Sequence, residues 1–479
     1  MKLQIKGYIT VFLSLSIMII LSLVLALFQG ARIGAVRMKT ECVADIAMNS
    51  VLAEYSRELY DQYGLLMVDT SYGTSSHSVL NMKEHLKNYV QKNFDRSLVG
   101  GITNAQTMTA MKCKDVKIEG FSVATDNNGA VLKRQILAYM AGNPIEGLLT
   151  DVLDNTNKLK DSKLDTTDVA SLAEENQELI DSVELPTVEN DEGEEETLSI
   201  GNPADAVNSQ RSVGVLSLAI PDKDKISRAV ADIASLASKR ELSKGTGLDD
   251  EEEISATENL LLDEYYYEKC SRYSKELEKS ALKYQLEYLA FGENSDWANL
   301  EKMAQTLLMW REASNMMYLF SCQEKVKMAE TLANTLSVLL FVPELAVPIK
   351  YSILFAWTFA ESISDLHILF GGGKVPLFKS DSTWKLSISN MLSFKEHLDS
   401  SGSEEGLDYT GYLRMKLLMT DSDKKISRMM DVIEMDVRRT DGNSQFMLDY
   451  CVDIFKAEID VETKSGYECT IERAYGYER

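Results

Sequence analysis

Histidine is scarce in this chain and cysteine is dispersed, and each fact removes a class of chemistry. The four histidines, His77, His85, His367 and His397, share no zinc-like spacing with one another or with a cysteine. The six cysteines, at positions 42, 113, 270, 322, 451 and 469, contain no C-x-x-C pair. Scattered thiols are therefore expected, with disulfide connectivity open. Basic charge is also in deficit: 74 acids against 50 bases give a formal charge of −24. Clustered Lys and Arg are what neutralise phosphates, so the balance argues against any broad role in binding nucleic acid or an anionic membrane surface.

Catalytic signatures are missing as well. No G-x-S-x-G elbow, H-E-x-x-H helix or dinucleotide fingerprint occurs. Phe370 to Pro376, FGGGKVP, imitates a phosphate loop, but the first Walker glycine would fall at Leu366 and Val375 replaces the magnesium-binding hydroxyl. A helix C-cap and turn is the simpler reading. The DNNG beginning at Asp126 lacks the second acidic position and closing glutamate of a calcium loop. No catalytic, cofactor-binding or metal-ligating residue is nominated, and the chain is read as a non-enzyme without a cofactor.

What is present begins at the N terminus. Residues 7–31 carry no charge, and Tyr8 to Phe28 supplies about the 20 apolar residues that a bilayer-crossing helix needs. The reading is a retained single-pass anchor that contacts lipid through residues 8–28. Lys2 and Lys6 precede it while Arg32, Arg37 and Lys39 follow, so the local charge bias is nearly balanced. Long acidic domains translocate largely regardless of charge, which places the C-terminal part in the extracytoplasmic space.

No proline interrupts Tyr8 through Tyr63, and the apolar positions Val36, Val43, Ala47, Val51, Tyr55 and Leu59 keep helical spacing beyond the span. One unbroken helix ending near Gly64 is expected. Ser22, Ala26, Gly30 and Gly34 recur every fourth residue and form a small-residue stripe against which a partner helix can pack closely.

The rest of the chain reads as α+β and mainly helical, with a small sheet that includes a C-terminal hairpin. Residues 1–7 form a cytoplasmic basic head, 8–64 the membrane helix and its extension, and 65–185 an α+β segment. Residues 186–257 hold acidic linkers and a partly helical insertion, 258–445 a helical domain, and 446–479 a helix end and hairpin. The linker from Pro186 carries six acids and no base. In 65–185, Met111 to Thr125 reads as two short strands divided at Gly120. In 258–445, Asn259 to Phe291 reads as continuously helical. Leu336 to Phe370 is the most apolar stretch after the anchor, but Pro343, Glu344, Pro348, Lys350, Glu361 and Asp365 divide it into pieces too short to span, so a buried hairpin is expected.

The N-terminal residues resemble the TadE/TadG-like accessory pilins of tight-adherence (Flp-type) pili. The resemblance covers about the first 60 residues and rests on Gly7 before Tyr8, on Gly30-Ala31-Arg32, and on Ala44-Asp45-Ile46-Ala47. It implies processing between Gly7 and Tyr8, although Phe12 stands where major pilins carry glutamate, an acid that TadG-like proteins often lack. It also implies pilin-like or assembly proteins as partners of the N-terminal helix, with a function in assembly or adhesion. Segments such as Trp357 to Lys379, Glu287 to Leu300 and the closing ERAYGYE resemble an uncharacterised family of large Gram-positive envelope proteins. A stand-alone tethered binding or sensor protein is the alternative, and an anchored hydrolase a third.

Overall fold

In the computed structural model the described residues are 7–95, 107, 109–142, 148–189, 195–197, 202–246, 248, 255–399 and 401–477. The basic head at Lys2 and Lys6, the turn residues Asn143 and Pro144, and the acidic run Asp249 to Glu253 lie outside them. The fold is α+β, mainly helical, with a small antiparallel sheet that includes the C-terminal hairpin. It divides into two compact units. The first is Met1–Gly142, Lys239–Ile254 and Asp436–Arg479, and the second is Asn143–Ser238 and Ser255–Met435.

The first unit is organised by a helix of 45 residues, Tyr8–Leu52, about 68 Å long at 1.5 Å per residue. Its two halves meet different surroundings. Tyr8 to Phe28 is exposed along almost its whole length and is long and apolar enough to cross a membrane. From Val36 onward one face is buried: Val36, Thr40, Val43, Ala44, Ala47, Met48, Val51 and Leu52 follow the three-to-four-residue period of a helix stripe. That face joins Met82, Leu86, Val90 and Phe94 of the helix Val79–Asp95 in one core with the sheet.

The strand Cys451–Thr463 is the centre of the sheet. It pairs antiparallel with Met111–Val123 along one edge. Val68–Asp69 and Glu468–Gly476 pair with it end to end along the other. Its alternate residues Phe455, Ala457, Ile459 and Val461 are buried in the core, as the period-two geometry of a strand requires.

Several local expectations need correction. The first helix stops at Leu52 rather than near Gly64, and no proline or glycine marks the break. The Ser56 amide instead donates to the Met67 carbonyl at 2.9 Å, and the Ser56 hydroxyl caps a separate helix, Arg57–Tyr63, that Gly64 ends at φ +70°. Met111–Val123 is one strand, and the irregularity at Gly120 is a bulge in its register, not a turn. No helix leads into the terminal hairpin, because a short 3-10 turn at Leu448–Tyr450 passes directly into the strand at Cys451.

In the second unit the helices Val169–Asp181, Pro203–Asn208, Asp296–Ser321 and Gln323–Leu339 pack around Ala346–Phe370. That central helix passes the same length and hydropathy test as the N-terminal one, yet 94% of its apolar window is buried inside the protein. The buried expectation holds and the stretch does divide around Pro343, between Leu339 and Ala346, but Pro348, Lys350, Glu361 and Asp365 do not divide it further: Ala346–Phe370 runs unbroken for 25 residues. Pro348 falls in its first turn, where a missing N–H breaks no helical hydrogen bond. Gly371-Gly372-Gly373 then close the helix, with the Gly373 amide bonded to the Ile368 carbonyl at 2.8 Å and Gly372 at φ +86°. The helical run expected from Asn259 to Phe291 is likewise interrupted. Ala256–Lys269 ends at Cys270, and the loop to Gln285–Phe291 is held by the Gln285 side chain accepting from the Ser271 amide at 2.9 Å.

The two halves of the N-terminal helix should respond differently to truncation. Met48→Ala, which empties a fully buried site on the embedded half, is expected to cost about 2–5 kcal/mol in denaturant unfolding of the detergent-solubilised chain. Phe12→Ala, at a residue 72% exposed, should leave the same transition unchanged.

Candidate functional site

Ser22, Ala26, Gly30 and Gly34 are all exposed on the N-terminal helix. The Ser22 hydroxyl is bonded back to the Ile19 carbonyl at 2.8 Å, and a Cβ built on Gly30 or Gly34 would meet nothing within 4 Å. Gly7 precedes the first turn, its carbonyl accepting from the Thr10 hydroxyl at 2.7 Å, and Tyr8 is 63% exposed. Nothing within the described chain occupies this face.

The second unit contains a cleft of about 440 Å³ whose formation depends on two glycines. Residues 401–407 lie flat against 374–376. The amide of Ser403 bonds to the Lys374 carbonyl at 2.9 Å, and the Val375 amide bonds to the Leu407 carbonyl at 2.9 Å. A Cβ at Gly402 would lie 2.5 Å from the Lys374 nitrogen, while Gly406 has φ +110°, a conformation that side chains disfavour. Lys374, Lys385, Glu404 and Glu405 line the cleft together with the Ser382, Thr383 and Ser403 side chains.

Asp365 and Lys379 reach the cleft from a buried ion cluster. Lys379 Nζ donates to Glu361 at 2.6 Å and to the Thr383 carbonyl at 2.9 Å, and forms an ion pair with Asp365 Oδ1 at 2.6 Å. Asp365 Oδ2 accepts from Arg311 Nε and Asn315 Nδ2, each at 3.0 Å. Arg311 also donates to the Pro376 and Leu377 carbonyls at 2.8 Å, and Glu361 accepts from the amides of Lys385 and Leu386. Burial raises the Glu361 carboxyl, whereas at Asp365 the Lys379 and Arg311 charges outweigh burial and hold its pKa below the ordinary value. Two cations and two anions thus balance in a dry site and fix the loop from Pro376 to Leu386 on the central helix. Chemically, the cluster positions a polar, mixed-charge cleft able to bind a small charged ligand.

A second buried acid has a different setting. Glu287 Oε1 accepts from the Tyr409 hydroxyl at 2.7 Å and the Tyr273 amide at 3.0 Å, while its Oε2 has no hydrogen-bond partner among the described residues. Burial lifts this carboxyl from 4.5 to about 7.

The histidines stay apart. His85 Nδ1 contacts Glu54 at 2.9 Å, His77 Nε2 meets the Gln445 carbonyl at 2.6 Å, and His367 meets the Ala219 carbonyl at 3.0 Å. Among the described residues no group of three His, Cys, Asp or Glu side chains is placed to hold a metal ion. No disulfide joins any of the six cysteines. Sequence reasoning used Glu361 and Asp365 only as charges unsuited to a bilayer. Their i, i+4 spacing in an otherwise apolar helix was the available signal of a buried ion site.

These features define a protein of two α+β and helical units carrying one bare apolar helix. Residues 190–463, more than half of the chain, match the model of DUF5702, a family of unknown function, and the chain belongs to that family. The match includes the cleft and the central strand but leaves the N-terminal helix outside it. No curated protein and no solved structure matches the chain.

Lys379→Met strands Glu361 and Asp365 together in a dry core and is expected to cost about 3–5 kcal/mol in urea unfolding, with Glu361→Gln in the same chain restoring part of the loss. Glu287 generates a pH dependence. Its folded pKa exceeds its unfolded value, so the folded state binds the extra proton and its contribution is full below pH 4.5 and lost as pH rises towards about 7. Between pH 5 and 8 the parent should lose about 2–3 kcal/mol more stability than Glu287→Gln, measured by urea unfolding at both values.

Proposed function

We propose that this chain is a membrane-anchored, extracytoplasmic accessory component of a Tad/Flp-type pilus or a related secretion assembly, acting as a minor pilin-like subunit. The observation that carries the reading is the division of one continuous helix: Tyr8 to Phe28 is bare and uncharged, and the same helix enters the core of the first unit from Val36. A tether needs no such continuity, because a flexible polar linker would serve. A helix fixed at one end in a folded unit transmits its orientation in the membrane to that unit. The open stripe of Ser22, Ala26, Gly30 and Gly34 supports close packing by another membrane helix, and the residues around Gly7 and Arg32 carry the pilin resemblance.

A second reading, a stand-alone envelope protein that binds a small charged ligand, is favoured by the cleft above Asp365 and Lys379. The two readings separate at the helix. A Cβ at Gly30 or Gly34 meets nothing in the described chain within 4 Å, so the fold should survive Gly30→Leu and Gly34→Leu. Copurification with single-span pilin-like proteins of the same cell should fall about tenfold, the scale of a lost close helix contact. Unchanged association would count against packing through the stripe, and full function after exchange of residues 8–27 for an unrelated apolar span would favour the tether.

A further inference from the structure

A notch of about 190 Å³ lies in the first unit between the N-terminal helix and the tip of the C-terminal hairpin, lined by Gln29, Arg32 and Ile33 on one side and Ser465, Gly466 and Tyr467 on the other. We propose that it holds the phosphate of a membrane lipid headgroup and thereby seats the first unit on the bilayer surface. The proposal rests on reading Tyr8 to Phe28 as the membrane span.

Position comes first. Tyr8 to Phe28 measures about 32 Å at 1.5 Å per residue, which matches the hydrocarbon thickness, so Gln29 and Arg32 fall within about 6 Å of its edge. That is the headgroup layer. The hairpin tip reaches the same level because its residues line the same notch. The tip is fixed rather than trailing: the Gly466 amide bonds to the Thr463 carbonyl at 2.9 Å, the Thr463 hydroxyl accepts from the Tyr467 amide at 3.0 Å, and the Lys464 amide bonds to the Ala110 carbonyl at 3.1 Å.

Charge comes second. In a chain of −24, this level carries a local excess of cations. Arg32 lines the notch, Arg37 Nε donates to the Tyr467 hydroxyl at 3.1 Å, and Lys464 is exposed at the tip. Of the neighbouring acids, Glu462 is matched by Lys112 at 3.2 Å and Glu468 by Lys114 at 2.6 Å, while Glu41 faces Arg37 one turn further along the helix. Guanidinium groups suit phosphate oxygens, and a tyrosine with its hydroxyl directed to polar groups suits a membrane–water boundary. Ile33 and the end of the apolar span beside the notch favour a phosphate that carries acyl chains over a free one.

The test uses the full chain, with native mass spectrometry of protein released from micelles containing phosphatidylglycerol, alongside carbonate extraction of membranes. Arg32→Gln with Lys464→Gln should reduce retained phosphatidylglycerol about thirtyfold, the scale of removing two basic groups from the surface, while the variant stays in the membrane on carbonate treatment. Excess inorganic phosphate should leave the parent's lipid in place. Retention unchanged in the double variant, or displacement of the lipid by inorganic phosphate, would overturn the lipid site and leave the span reading standing. Release of the parent chain by carbonate would overturn the span reading and the site with it.

Discussion

A backbone inside a bilayer must satisfy its own hydrogen bonds, and the first unit is built on a helix that is long and apolar enough to do so across a membrane. The helix Tyr8–Leu52 meets that requirement with one uninterrupted ladder, and the same ladder continues through Gln29 to Ala35 into the protein core. The helix, the packing partner Val79–Asp95 and the sheet around Cys451–Thr463 share a single apolar cluster. The first unit is therefore assembled directly on the stem that the membrane reading places in lipid, and the closing hairpin returns to the level where that stem emerges.

The second unit solves the opposite problem. Ala346–Phe370 is apolar enough to enter a bilayer, but it carries Lys350, Glu361 and Asp365 and is surrounded by other helices. Its two acids lie one helical turn apart and require cations in a dry setting. Arg311 and Lys379 supply them, and in doing so they fix the loop that forms one wall of the cleft. Two helices long and apolar enough to cross a membrane thus differ in their surroundings: one is bare, and the other, less apolar and bearing charges, is buried among helices.

Much of this was legible in the sequence, for identifiable reasons. The helices Asp296–Ser321 and Gln323–Leu339 and the hairpin turn at Lys464-Ser465-Gly466 carry strong local signals: a Ser cap, helical periodicity and a glycine at positive φ. What failed was set by distant partners. The stop at Leu52 depends on the bond from Ser56 to Met67, and Gly120 serves a bulge because the long strand opposite continues past it. The cleft was illegible because Arg311, Asp365 and Lys379 converge from separate segments, and Gly402 and Gly406 disclose their purpose only when the chain at 374–376 lies beneath them.

The central claim is that the bare apolar segment and the embedded segment form one rigid helix. The most direct measurement is a pulsed electron–electron distance between spin labels at the exposed positions Leu25 and Ile46, in lipid nanodiscs and with the native cysteines replaced. The expected result is a narrow distribution centred near about 32 Å, the rise of 21 helical residues. A broad distribution, or one displaced well below that distance, would show a hinge where the helix leaves the membrane and would contradict the account.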